Sequence, residues 1–190
     1  MPLLIAGLVL FIGTHSIAIL APATRDRLAA TLGPGPWKAL YAIVSLVGLV
    51  LVVRGCAAAR ATPVVLYSPP EAARYVALVL LLPVFPLAFA SVLPGAIRSR
   101  LGHPLLAATK AWALAHLIAN GTLADVVLFG SLLAWAVIER ISLKRRLPRP
   151  VTTAPAGRWN DLIAIVLGLA LYGAMLGGLH RWLIGVAPLP

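Results

Sequence analysis

Long apolar stretches separated by short polar segments dominate the chain from end to end. A membrane-spanning helix needs about 20 mostly apolar residues, and Gly, Pro and charged residues cluster in the connections between the stretches. The pattern therefore predicts an all-α integral membrane bundle of about six transmembrane helices. We place these helices at residues 2–21, 37–53, 75–97, 101–119, 122–141 and 160–184.

Three prolines, Pro83, Pro86 and Pro94, lie within the third predicted helix. A proline inside a spanning helix removes a backbone hydrogen bond and bends the helix. We therefore expect this helix to be kinked or broken.

The fourth and fifth predicted helices are separated only by Asn120-Gly121, a dipeptide typical of turns. This spacing predicts a tight helical hairpin. Because Lys110 interrupts the fourth apolar stretch, a re-entrant pair that does not fully cross the membrane stays open as an alternative.

The composition agrees with a chain that has the bilayer as its solvent. Hydrophobic residues make up 61% of the 190 residues, charged residues make up 11%, and the mean hydropathy is +0.98. Soluble domains are about 45–50% apolar and about 25% charged, so a soluble core could not bury this much apolar surface. The length suits one domain over residues 1–190.

A net charge of +11 first suggests nucleic acid as a partner. The Lys and Arg residues sit mostly between apolar stretches, however, as orientation by cytoplasmic positive charge requires. If the basic loop over residues 140–158 is cytoplasmic, eleven of the sixteen Lys and Arg lie on that side, four lie outside, and Lys110 lies within the membrane. We therefore expect a lipid partner and no nucleic acid.

The amino terminus has one feature of a secretory signal, because Ala21-Pro22-Ala23 supplies small residues after an apolar stretch. A signal peptide normally has a positive residue before that stretch, and none precedes it here. We expect residues 2–21 to remain as a transmembrane helix.

Ionisable side chains are costly inside a membrane and mark candidate functional sites. Four histidines, His15, His103, His116 and His180, fall in or beside predicted helices. A neutral imidazole nitrogen is a common axial ligand of haem iron. For each histidine taken alone, a buried hydrogen bond to a neighbouring helix explains its presence more simply than iron binding does. For His103 the simpler explanation is a position at the membrane interface.

His116 has the richest surroundings along its predicted helix. Trp112 lies four residues before it and Asn120 four residues after it, and residues at that spacing share one helix face. The face offers an imidazole, an aromatic wall and an amide.

Lys110 lies roughly 10 Å from the cytoplasmic end of the same helix, at 1.5 Å per residue. Its ammonium could snorkel to the membrane surface or pair with Glu139, with Asp161 or with a propionate of a bound cofactor.

The predicted depths of His15 and His116 in the membrane allow both histidines to bind one haem. His15 and His116 each lie about 20 Å from opposite membrane faces, so their depths differ by roughly 10 Å in a core of about 30 Å. Helix tilt and the span of a haem held between two imidazoles could absorb that difference. His180 is the rival partner, and Gly173 and Gly177 beside it predict either a close helix approach or room for a flat ligand.

Motifs of soluble enzymes are absent from the sequence. It has no Gly-x-Ser-x-Gly motif, no P-loop, no His-Glu-x-x-His motif and no closely spaced pair of carboxylates. Catalytic residues therefore stay unknown.

Several segments resemble NnrU-type membrane proteins, and the resemblance covers nearly the whole length of the chain. The most specific is His103-Pro104 followed by residues 110–121, Lys-Ala-Trp-Ala-Leu-Ala-His-Leu-Ile-Ala-Asn-Gly. The other segments that carry the resemblance are residues 7–16, 37–41, 63–67, 128–131 and 134–137.

The resemblance implies a protein of the bacterial inner membrane that is linked to denitrification and to the nitrite and nitric oxide reductases. The family is similar to 15-cis-zeta-carotene isomerase, a membrane enzyme that uses haem b. The ligand histidines of that relative match His15 and His116 here. Its alternative cysteine ligand falls at Ala113, which puts a switch between cysteine and histidine ligands in doubt for this chain.

Three hypotheses for the function follow. The leading one is a haem b membrane protein in nitric oxide or denitrification redox metabolism, with iron held by His15 and His116 and the pocket shaped by Trp112, Asn120 and Lys110. The second is a cis–trans isomerase of a carotenoid-like polyene. The third is a non-catalytic assembly factor for a reductase.

Overall fold

The computed structural model describes residues 1–146, 151 and 153–189, and the chain is helical over most of them. Arg149 and its neighbours in the predicted basic loop, residues 147–150, lie outside the described residues. The helices are α1 (Pro2–Leu20), α2 (Pro22–Leu32), α3 (Pro34–Ala61), α4 (Glu71–Leu81), α5 (Val84–Val92), α6 (Ala96–Leu101), α7 (Pro104–Ala119), α8 (Leu123–Leu143), α9 (Asn160–Ala174) and α10 (His180–Ile184), with a π-helical turn at Met175–Leu179.

Five stretches among the described residues are long and apolar enough to cross a membrane, which confirms the all-α membrane fold. These are Pro2–Leu20, Pro34–Ala61, Glu71–Val92, Leu123–Leu143 and Asn160–Ile184. The fourth predicted helix is shorter than expected, because α7 begins at Pro104 after Gly102, whose φ of 72° ends α6. Its 16 residues extend about 24 Å, short of a core of about 30 Å. The re-entrant alternative therefore stays open for α7.

The predicted break in the third helix is confirmed. α4 ends at Leu81, Pro83 lies at the break, and α5 begins at Val84. Pro94 lies in the gap between α5 and α6, where its missing N–H disturbs no helix.

The segment after α1 was expected to be a loop but forms the helix α2. Its 11 residues include Arg25, Asp26 and Arg27, and none of them is buried. Gly33, with φ 82°, separates α2 from α3. A short and polar helix of this kind gives no long apolar stretch, so the hydropathy pattern could not reveal it.

The chain divides into two compact units. The first contains residues 1–69 and 120–146, with α1, α2, α3 and α8, and the second contains residues 70–119 and 147–190. In the first unit α8 packs on α1 and α3, and in the second α7 packs on α4 and α5. Each of these two helices thus has its main partners within its own unit. A single domain over residues 1–190 stays a prediction.

Helices α1 and α3 of the first unit run antiparallel and approach closely at glycines. A Cβ on Gly48 would lie 2.8 Å from the nitrogen of Phe11, and one on Gly55 would lie 2.4 Å from the nitrogen of Leu4. Glycines allow such backbone contact between membrane helices. The contact brings Phe11 and the residues near it into a fixed position against α3.

The connection between α3 and α4 pairs with the turn before α8. Leu66 N donates to Gly121 O at 2.8 Å, and Leu123 N donates to Val64 O at 2.8 Å. A Cβ on Gly121 would lie 1.8 Å from Tyr67 O, so only glycine permits this approach.

Helices α5 and α9 pack closely in the second unit, where a Cβ on Gly168 would lie 2.2 Å from Pro86 N. At the start of α9, the carboxylate of Asp161 accepts hydrogen bonds from Ala96 N at 2.7 Å and Ile97 N at 3.1 Å. These bonds satisfy two of the amides that the first turn of α6 leaves without helical partners.

The predicted contact at Gly173 and Gly177 is absent from the described residues. A Cβ built on either glycine meets no atom within 4 Å. The close approaches occur instead at glycines in α1, α3 and α9. Of the two alternatives for the Gly-x-x-x-Gly spacing near His180, room for a flat ligand stays a prediction. The helix also changes course there, because Gly178 in the π-helical turn has φ 128°.

Candidate functional site

His15 lies in α1, five residues before the helix ends at Leu20, and three aromatic rings contact it. The ring centroids of His15 and Phe11 are 4.3 Å apart, those of His15 and Tyr41 are 5.3 Å apart, and those of His15 and Trp135 are 5.7 Å apart. Tyr41 belongs to α3 and Trp135 to α8, so all three long helices of the first unit contribute. We call His15, Phe11, Tyr41 and Trp135 the His15 cluster.

The imidazole of His15 is held in one protonation pattern by its own helix. Its Nδ1 lies 2.8 Å from the carbonyl oxygen of Phe11. A carbonyl oxygen only accepts, so Nδ1 donates its proton and the lone pair resides on Nε2. Metal-bound histidines commonly have this arrangement, in which the bond at one nitrogen orients the ring and the other nitrogen binds the metal.

The position of Phe11 depends on the packing of α3. Gly48 lies against the backbone of Phe11, and Phe11 supplies both a ring and a carbonyl to His15. The absence of a side chain at position 48 therefore lets α3, which carries Tyr41, lie close to this part of α1.

The members of the cluster lie at similar distances from their helix ends. His15 is five residues from the end of α1, Tyr41 is seven residues from the start of α3, and Trp135 is eight residues from the end of α8. At 1.5 Å per residue these positions are about 8–12 Å inside the helices. The indole nitrogen of Trp135 is buried and has no hydrogen-bond partner among the described residues.

An ion pair lies near the end of α8, one helical turn beyond Trp135. The guanidinium of Arg146 donates to the carboxylate of Glu139, and the two side chains are only 18% and 13% exposed. Glu139 is therefore engaged by Arg146, and its suggested pairing with Lys110 stays a prediction.

His116 lies in α7 of the second unit, three residues before the helix ends at Ala119. Its Nδ1 is 3.0 Å from the carbonyl oxygen of Trp112, and the two ring centroids are 5.1 Å apart. The predicted contact between His116 and Trp112 is thus confirmed, and Nδ1 faces a carbonyl of its own helix as it does at His15.

Asn120 does not continue the helical face of His116. It follows the last residue of α7, and its carbonyl accepts a hydrogen bond from the hydroxyl of Tyr67 at 2.6 Å. Helical spacing no longer applies beyond the helix end, so an amide beside the imidazole stays a prediction.

Lys110 is half-buried near the middle of α7. Asp161, its other suggested partner, accepts hydrogen bonds from the backbone amides of Ala96 and Ile97. A role for Lys110 beside a cofactor propionate stays a prediction.

The remaining histidines lie at helix ends. His103 is exposed before α7, and its carbonyl accepts from Leu106 N at 3.1 Å, as expected for an interfacial residue. His180 begins α10, and its Nδ1 lies 2.6 Å from the carbonyl of Val186.

The candidate residues divide between the two units. The first unit contains His15 and its aromatic neighbours, together with Asn120, and the second contains His116, Trp112, Lys110 and His180. Each unit thus has one imidazole stacked on a ring and bonded to its own helix. The pairing of His15 with His116 on one iron stays a prediction.

A model of the family described as NnrU protein matches residues 3–188. The chain belongs to the NnrU family. No curated protein and no solved structure matches the chain significantly.

Tyr41 and Trp135 of this NnrU protein were not predicted as site residues. Both fall within the segments that carry the resemblance to the family, and that was the one signal available. Their contact with His15 joins residues 26 and 120 positions apart in the sequence, which helical spacing within α1 cannot reveal.

The donor groups of the NnrU protein suit a cofactor that brings most of its own metal ligands. Among residues 1–146, 151 and 153–189, no cluster of three or more His, Cys, Asp or Glu side chains could hold a metal ion. A haem iron needs only one or two protein ligands. His15, with its lone pair on Nε2, fits that requirement.

Proposed function

We propose that this NnrU-family membrane protein binds haem b with His15 as an axial ligand, and that it acts in redox metabolism linked to nitric oxide and denitrification. The supporting observation is the hydrogen bond from His15 Nδ1 to Phe11 O. It orients the ring and leaves the lone pair on Nε2, the form that binds iron.

The aromatic neighbours of His15 support the same proposal. The side chains of Phe11, Tyr41 and Trp135 surround the imidazole with apolar ring surface. Such surroundings place the ring among apolar groups, which limits the access of water to it. Bound haem would supply a one-electron centre that can also take a small ligand such as nitric oxide.

The second axial ligand is proposed to be His116. Its Nδ1 faces the carbonyl of Trp112 as that of His15 faces the carbonyl of Phe11. The position that corresponds to a cysteine ligand in the related isomerase is Ala113, which is fully buried.

Haem titration of the purified protein tests the proposal. Wild type should give a Soret band and saturate near one haem per chain, and His15→Ala should lose most of that band. His103→Ala is the matched control, because His103 is exposed and outside the cluster, and it should bind as wild type does. Equal spectra for His15→Ala and His103→Ala would rule out His15 as a ligand.

The second ligand is tested in the same series. We expect His116→Ala to change the position of the Soret band and to weaken haem binding, whereas His180→Ala should leave both unchanged. The opposite result would assign the second position to His180.

A further inference from the structure

An apolar groove of about 390 Å³ lies in the first unit, between α1, α2 and α3. Its lining includes Gly13, Ile17 and Leu20 of α1, Leu28 of α2, and Leu40 and Val44 of α3. A volume of this size falls within the range of small-molecule sites. Apart from Thr14, Trp37 and Tyr41, its lining residues have no polar side-chain atom, so its interior suits a hydrocarbon chain.

A basic side chain, Arg25, stands at one end of the groove, where it also pairs with the adjacent Asp26 at 2.9 Å. Trp37 lines the groove, and the guanidinium of Arg25 lies over the Trp37 ring at 5.7 Å from its centroid. Arg25 is three residues before Leu28, so the two share a face of α2. Lys38 follows Trp37 in the first turn of α3 and is exposed.

The apolar lining of the groove suits an acyl chain, and the positive charge at its end suits a phosphate. Together they match an anionic phospholipid. The groove lies where α1 ends and α3 begins, and α2 between them is short, charged and unburied. Lys and Arg near a membrane surface attract anionic headgroups.

We propose that this groove binds one acyl chain of an anionic phospholipid of the surrounding leaflet, with its phosphate at Arg25 and Lys38. The proposal rests on the first unit alone and does not depend on haem binding. A lipid held there would pack beside α1 next to Thr14, the neighbour of His15 in the chain.

Competition between two phospholipids tests the charge requirement. Delipidated protein is incubated in mixed micelles with equal amounts of phosphatidylglycerol and phosphatidylcholine that have identical acyl chains, and the retained lipid is counted by native mass spectrometry. Wild type should retain mainly phosphatidylglycerol, and Lys38→Gln should lower that preference about five-fold, the effect of roughly one surface charge. Arg54→Gln, an exposed change of equal charge elsewhere on α3, should leave it unchanged.

Filling the groove tests the acyl-chain site. A Cβ on Gly13 meets no protein atom within 4 Å, and Gly13 lines the groove, so Gly13→Leu should fold and place its side chain in the groove. Gly130→Leu is the matched control, since Gly130 is also open but does not line the groove. With phosphatidylglycerol that has brominated chains, tryptophan quenching should fall in Gly13→Leu and persist in Gly130→Leu.

Three results would overturn the proposal. They are equal retention of both phospholipids by wild type, an equal loss in Arg54→Gln and Lys38→Gln, and unchanged quenching in a Gly13→Leu variant that melts as wild type does.

Discussion

Gly48 of α3 lies directly against the backbone of Phe11 in α1, where a Cβ at position 48 would come within 2.8 Å of the Phe11 nitrogen. The carbonyl of Phe11 in turn accepts the hydrogen bond that orients His15. We predict that Gly48→Ala lowers the free energy of unfolding by about 1–3 kcal/mol, the usual cost of overpacking, and weakens haem binding. Unfolding in detergent micelles and a haem titration measure the two effects.

Gly130→Ala is the control for that prediction, because a Cβ on Gly130 meets no atom within 4 Å. Alanine favours a helix over glycine by up to about 1 kcal/mol, so this variant should be as stable as wild type or slightly more so. A Gly48→Ala protein with wild-type stability and haem affinity would contradict the role given to the helix contact.

Gly121 permits the pairing between the turn before α8 and the connection after α3. A Cβ at this position would lie 1.8 Å from Tyr67 O, which forces the two segments apart and breaks the bonds at Leu66 and Leu123. We predict that Gly121→Ala costs more than Tyr67→Phe, which removes one hydrogen bond worth about 1 kcal/mol. Thermal unfolding of both variants in the same detergent compares them, and the reverse order would refute the structural reason.

The helices could be predicted from the sequence because lipid demands long apolar stretches. The third helix illustrates this, since its break at Pro83 followed from the missing N–H of proline alone. α7 begins only at Pro104, after Gly102 has ended α6. The apolar stretch in the sequence starts at Leu101, so hydropathy alone places the start of this helix too early.

Packing partners could not be predicted in the same way. Every face of a helix in lipid is apolar, so the sequence does not mark which face meets another helix. Gly173 and Gly177 have the spacing of a contact and make none in the described residues, whereas Gly48 and Gly55, seven residues apart, make two. His15 could be proposed as a ligand from its residue type. Its neighbours Tyr41 and Trp135 could not be predicted, because they lie on other helices.

Asp161 holds the start of α6 through the amides of Ala96 and Ile97. We predict that Asp161→Ala destabilises the protein by about 0.5–2 kcal/mol, as loss of a helix cap does. Asp161→Asn keeps one oxygen as an acceptor and should lose less. Hydrogen exchange at the amides of residues 96 and 97 provides the direct measurement, and unchanged protection in Asp161→Ala would show that the carboxylate is not needed there.

Glu139 and Arg146 form a pair that is mostly shielded from water. Removing one partner of a buried pair costs about 3–5 kcal/mol, and exposed pairs contribute about 0–1 kcal/mol. We expect a coupling energy of about 1–3 kcal/mol, between these two ranges, in a double-mutant cycle of Glu139→Gln, Arg146→Met and the double variant. A double variant whose loss equals the sum of the two single losses would mean that the residues do not stabilise each other.

Imidazole rescue tests the central claim, that His15 binds haem iron through Nε2, most directly. His15→Gly removes the ligand and leaves a cavity among Phe11, Tyr41 and Trp135, so free imidazole added to haem-loaded protein can take its place. The account predicts that His15→Gly loses the wild-type Soret spectrum and that imidazole restores it, at concentrations that leave His103→Gly unchanged. A His15→Gly protein with the wild-type spectrum before any imidazole is added would contradict the account.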